Sequence, residues 1–121
     1  MAAGIYNFTI EQGATFRRTF KYKNSEGTAI NLSGHAVRMQ LRTSINATDT
    51  IISLTETQNT NDSVITVGGA SNNEIEVVIS ATDTAAMSFD TAVYDLEIEL
   101  SQEVTRLLQG KVKLSKEVTR P

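Results

Sequence analysis

Glu74-Ile75-Glu76-Val77-Val78-Ile79, then Ser80-Ala81-Thr82-Asp83-Thr84-Ala85-Ala86-Met87, then Asp90-Thr91-Ala92-Val93-Tyr94-Asp95-Leu96-Glu97-Ile98-Glu99-Leu100 is the stretch on which the fold turns. In the first segment Ile75, Val77 and Ile79 fall on one side and two glutamates on the other, the period of a strand with one buried face. Ser80 and Asp83 have capping-box spacing, and three alanines favour one or two helical turns from Ala81 to Met87. Alternation then resumes, with Tyr94, Leu96, Ile98 and Leu100 opposite Val93, Asp95, Glu97 and Glu99. A strand, a helical corner and a second strand predict two sheets joined across a core.

Composition sets the frame around that stretch. A chain of 121 residues has room for one domain, here 1–121 with short N- and C-terminal arms. One proline, no cysteine and no tryptophan leave stability to packing and sheet hydrogen bonds. A net charge of −3 and a pI near 5.1 argue against nucleic acid as a partner. No apolar run approaches the roughly 20 residues of a membrane span, and the N-terminus lacks a signal-peptide pattern, so no membrane partner is expected and synthesis is placed in the cytoplasm.

Working outward, Ile5 to Ile10 reads as an edge strand, with Tyr6, Phe8 and Ile10 on one face. Ala14 to Lys23 follows, with Phe16, Phe20 and Tyr22 inward and Arg18 interrupting the apolar face; its head is expected to reach water. A turn at Asn24 to Gly27 and a brief pairing of Thr28 to Leu32 predict a hairpin. His35 to Thr43 alternates Val37, Met39 and Leu41 with Arg38, Gln40 and Arg42, a core strand with a basic outer face that is either solvated or an interface. Short strands at Ile51 to Thr55 and Ser63 to Val67, the second closed by Gly68-Gly69, lead back to Glu74. The expected core is Phe16, Phe20, Val37, Met39, Leu41, Ile75, Val77, Ile79, Tyr94, Leu96, Ile98 and Leu108.

Ser101 to Thr105 reads as a loop and Arg106 to Leu114 as the last strand. A register whose paired numbers sum to 206 sets Ile98 against Leu108, Leu96 against Gly110 and Tyr94 against Val112, and brings Asp95 to Lys111 on the outer face.

The residues carry little chemistry. His35 is the single histidine, at a strand start, and there is no cysteine, so no nucleophilic triad is expected and no catalytic residue is assigned. Asp49, Asp62, Asp83 and Asp90 lie in or near loops without the alternating carboxylates of a calcium loop, which leaves a loop-end cation as the minor alternative. No metal or cofactor is assigned. Gly68-Gly69 lacks the lysine and helix start of a phosphate loop and reads as a turn. Four Asn-x-Ser/Thr matches, at Asn7, Asn31, Asn46 and Asn61, have no secretion signal beside them.

Two resemblances follow from quoted motifs. Asp90-Thr91-Ala92-Val93-Tyr94 resembles the start of strand F in immunoglobulin variable domains, with Leu96 where the cysteine would stand; this implies a corner bond from Tyr94 to the upstream backbone. Gln12-Gly13-Ala14-Thr15-Phe16, Phe20, Gly27, Ile30-Asn31-Leu32-Ser33-Gly34, the Arg38/Met39/Leu41/Arg42 strand and Tyr94-Asp95-Leu96-Glu97 resemble small tailed-phage virion proteins. They are most similar to the N-terminal module of phage upper baseplate proteins, with Ala14 and Asn31 in place of the acidic residues of that pattern. The resemblance implies an Ig-like antiparallel β-sandwich with one short crossover helix. It also implies a non-enzymatic structural protein of the virion, in a baseplate, collar, adaptor or decoration position, made in the host cytoplasm. Its partners would be itself, as a homo-oligomer, and other virion proteins. The alternative is an Ig-like binding module for a host-surface or carbohydrate ligand. The open Ile5 to Ile10 edge further predicts that removing residues 1 to 10 or 116 to 121 weakens assembly more than folding.

Overall fold

The computed structural model describes residues 4 to 119. Its elements are β1 (Gly4–Ile5), β2 (Phe8–Glu11), β3 (Phe16–Lys21), β4 (Ala36–Arg42), β5 (Ile52–Thr55), β6 (Val64–Gly68), β7 (Glu74–Ile79), α1 (Ala81–Ala85), β8 (Thr91–Leu100) and β9 (Glu103–Ser115). Strands take 51% of the described residues and helix 4%, and two sheets pack as an Ig-like sandwich. Sheet A runs β1-β9-β8-β4-β5 with β2 also on β9, and sheet B runs β3-β7-β6. All pairings are antiparallel except those of β1 and β2, which lie parallel to β9. The first and last strands can run side by side because no connection has to cross between them.

The alternation at Glu74 to Ile79 has the expected consequence: Ile75, Val77 and Ile79 are at most 1% exposed, in one buried cluster with Leu96, Met39 and Leu41 of the other sheet. Ser80 caps α1 as its spacing requires, its Oγ accepting from the Asp83 amide. Of the expected core, Phe20 and Leu108 are only partly buried and pack on its margin. Phe8, Ile10, Leu32, Leu54, Ile65, Met87, Ala92, Val112 and Leu114 complete it.

Several sequence expectations are corrected. Ile5 to Ile10 is two strands broken at Tyr6 and Asn7. Phe8 and Ile10 are buried, so this segment belongs to the fold and its removal strikes the core as well as any assembly. The part of the terminal expectation that concerns residues 1 to 3, 120 and 121 lies outside the described residues. The hairpin expected at Thr28 to Leu32 is reduced to one bridge, Lys23 with Ala29. Leu32 instead turns inward, its amide donating to the Asn72 carbonyl at 2.8 Å.

The largest correction is in the β8–β9 hairpin. Ser101 and Gln102, at φ 51° and 70°, make a two-residue turn whose left-handed pair matches the strand twist, so no five-residue loop exists. Pairs from Thr91 with Lys113 to Leu96 with Leu108 sum to 204, two less than expected. A bulge then leaves Leu107 unpaired, and Glu97 faces Arg106. Because a shift of two keeps every side chain on its face, hydrophobic alternation cannot separate the two registers. Gly110 therefore lies opposite Tyr94, and Lys111 lies opposite Val93.

Gly110 has a steric reason for being glycine. A Cβ there would run into the Tyr6 carbonyl oxygen, with Asn7 Oδ1 at 2.8 Å. The chain kinks inward over Gly110 between β1 and β2. Asn7 Oδ1 replaces a ladder carbonyl by accepting from the Lys111 amide at 2.8 Å, and Tyr6 donates its own amide to Gln109 at 3.0 Å. The Tyr94 hydroxyl donates to the same Tyr6 carbonyl at 2.6 Å. The implied bond from Tyr94 to the upstream backbone is present, and its partner is the N-terminal kink, far back in the chain, so that it ties strand β8 to the segment between β1 and β2. Burial, with a contribution from Tyr6, pushes this phenol up to about 12. Tyr94→Phe is expected to cost about 1 to 2 kcal/mol, since it leaves a carbonyl unpaired. An unchanged urea midpoint would count against the clamp.

Candidate functional site

The site is the outward face of sheet A, built by the pleat of five strands, β1, β9, β8, β4 and β5. Alternation sends Val93, Asp95, Glu97 and Glu99 outward from β8, and Arg38, Gln40 and Arg42 outward from β4. On β9 the bulge decides the pattern: by adding one residue it turns Arg106 to the outer face, beside Glu97 and near Asp95. Cross-strand pairing lines these side chains up in rows. Arg106, Glu97, Arg38 and Thr55 form one; Ile5, Gln109, Asp95, Gln40 and Ser53 form the next; Lys111, Val93 and Arg42 form a third.

Charge is distributed unevenly over these rows. Arg38 is held by two carboxylates, Nε to Glu97 at 3.0 Å and Nη1 to Glu99 at 2.7 Å. Those bonds, to Glu99 first and then Glu97, raise the guanidinium's proton affinity. Asp95 meets Arg106 Nε at 3.5 Å. Burial in the middle of the face, with Glu97 nearby, raises the Asp95 carboxyl above its ordinary range despite that cation. The third row differs. Arg42 spends its donors on neutral acceptors, the carbonyls of Ala47 and Thr48 at 2.9 and 3.0 Å and Gln40 Oε1 at 2.9 Å. Lys111 has no carboxylate partner among the described residues. The expected Asp95–Lys111 pair is replaced by Asp95 with Arg106.

A concavity of about 520 Å³ lies over the second and third rows, within the size range of small-ligand sites. Its borders include Ile5 and Ile45, which are 76% and 84% exposed. Both are large apolar side chains held in water, on opposite flanks of the face.

The other singled-out residues sit elsewhere. His35 is half-buried in the turn before β4, its Nδ1 buried without a hydrogen-bond partner among the described residues. Arg18 is half-buried, its head held on one side by the protein: its Nη1 donates to the Tyr6 hydroxyl at 2.7 Å and its guanidinium lies 5.2 Å from the Phe16 ring centre. Asp90 meets Lys116 at 2.9 Å, and Asp62 accepts from Gln58 at 3.1 Å. Asp83 is saturated, accepting from Ser63, from Asn59 at 3.0 Å and from Asn61 at 2.8 Å. Gly69, at φ 88°, closes a turn through a bond from the Asn72 amide. No group of three potential metal-ligating side chains occurs among the described residues. No helix among them is long and apolar enough to cross a membrane.

No known protein family and no curated protein matches the sequence.

The quoted motifs fall on positions that hold the sandwich together. Gln12 donates to the Met87 carbonyl at 2.7 Å, and the buried Thr84 hydroxyl accepts from Gly13 and donates to the Ala14 carbonyl at 2.8 Å. Asn31 caps its own turn by accepting from the Ser33 amide at 2.8 Å. The alternation found the basic strand of this face and placed Lys111 on it, but gave Lys111 the wrong partner and missed Arg106 and Gln109, because pairing depends on register and bulge.

Proposed function

We propose that this protein is a non-enzymatic structural component of a tailed-phage virion, working through protein contacts made by the outer face of sheet A. The observation that carries the reading is the character of that face. It is a broad sheet surface rich in arginine, bordered by exposed isoleucines, and arginine with apolar anchors is what protein interfaces favour. The free edge of β5 lies beside it and offers unpaired backbone groups for strand addition. The phage assignment within this reading is supported by the motifs at Gln12 to Phe16, Ile30 to Gly34 and Tyr94 to Glu97.

Peptide mass spectrometry of purified particles is the test. The chain should be recovered in fixed ratio to tail or capsid proteins, and its gene should stand beside theirs. Particles of full composition without this chain would overturn the virion assignment.

A further inference from the structure

Lys111 and Arg42 stand on either side of Val93 in one cross-strand row, two strand spacings or roughly 10 Å apart. Neither has a carboxylate partner among the described residues, in a chain whose net charge is −3. Arg42 is further fixed by three bonds to neutral oxygens, which position its charge without cancelling it. The neighbouring row supplies amides, Gln40 and Gln109, while Asp95 is already engaged by Arg106. Ile5 and Ile45 border the concavity on opposite flanks.

We infer that this concavity binds an extended acidic peptide segment of a partner protein, whose carboxylates lie over Val93 between Lys111 and Arg42 and whose apolar side chains cover Ile5 and Ile45. The inference rests on the reading of this face as a protein contact and names the chemistry of the contact. From β1 to β4 is three strand spacings, roughly 14 Å, which four or five extended residues span. An isolated anion would use the two cations but leave both isoleucines in water. A neutral sugar would leave both charges unused and would find no exposed aromatic platform among the lining residues.

The test uses the full chain, labelled with nitrogen-15 and titrated with acetyl-Leu-Glu-Ser-Glu-Leu-amide, with the lysine-for-glutamate peptide, and with inorganic phosphate. Saturable shifts at Ile45, Val93, Gln109 and Lys111 are expected with the acidic peptide alone. Lys111→Glu should weaken binding about tenfold, and added salt should weaken it further. Ile45→Ser, at a side chain already in water, should weaken it severalfold without touching stability. No saturable shift, equal shifts with phosphate, or indifference to Lys111→Glu would each overturn the inference. Particle occupancy of Lys111→Glu separates the two levels. If the peptide fails but the variant is lost from particles, the acidic segment is wrong and the contact face stands. If the peptide binds a chain that particles lack, the groove stands and the virion assignment falls.

Discussion

Gly110→Ala is expected to destabilise the protein by about 3 kcal/mol, the upper end of what one added methyl costs in a packed interior. The added carbon meets backbone, the Tyr6 carbonyl, which cannot swing aside as a side chain end could. Relief requires the kink between β1 and β2 to lift. That would break the Tyr94–Tyr6 bond and the Asn7–Lys111 bond together. Gly27→Ala is the internal comparison: its Cβ meets open space, and only its φ of 81° is penalised, at about 1 kcal/mol. Urea midpoints of the two variants decide the matter. Equal losses would show that the close approach at Gly110 is unimportant. Faster amide exchange at Tyr6 in Gly110→Ala would locate the damage at the kink.

Asp83→Ala should cost a similar amount, about 3 kcal/mol, because several bonds to one charged group disappear at once. The carboxylate gathers Asn59, Asn61 and Ser63 from the β5–β6 connection onto the first turn of α1. Ser63 is itself 1% exposed, and its hydroxyl also accepts from the Ser80 amide at 2.9 Å. Burial works against ionisation of Asp83, but hydrogen bonds from Ser63, Asn59 and Asn61, with Ser80, outweigh it and hold the carboxyl below its ordinary 3.8. A carboxyl depressed in the folded state contributes stability that is complete above the unfolded value and is lost as pH falls through the folded one. Wild type should therefore lose stability below about pH 4 more steeply than Asp83→Asn, which has no proton to take up. Parallel pH profiles for the two would remove Asp83 from the acid response.

Arg38, Arg42 and the outward carboxylates of β8 were legible as an outer face from alternation alone, since period 2 assigns a side without reference to any partner. The same periodicity placed Ile75, Val77, Ile79, Leu96 and Ile98 inside, and Ser80 with Asp83 announced α1, because capping depends on residues three apart in sequence. Register lay beyond that reach. Sums of 204 and 206 bury the same residues, so the choice falls to contacts between distant segments: the Tyr6 kink that needs Gly110 beside Tyr94, and the Ser101–Gln102 turn that carries no Asn-Gly signature. The two-residue difference moves Lys111 from an acidic partner to Val93, and the bulge at Leu107 gives Asp95 to Arg106 instead. Sequence by itself determined where the main strands lie and, up to the bulge in β9, which way their residues face. Tertiary structure decided which charges on that face are left without a partner, because pairing is a property of neighbours that only the folded chain brings together.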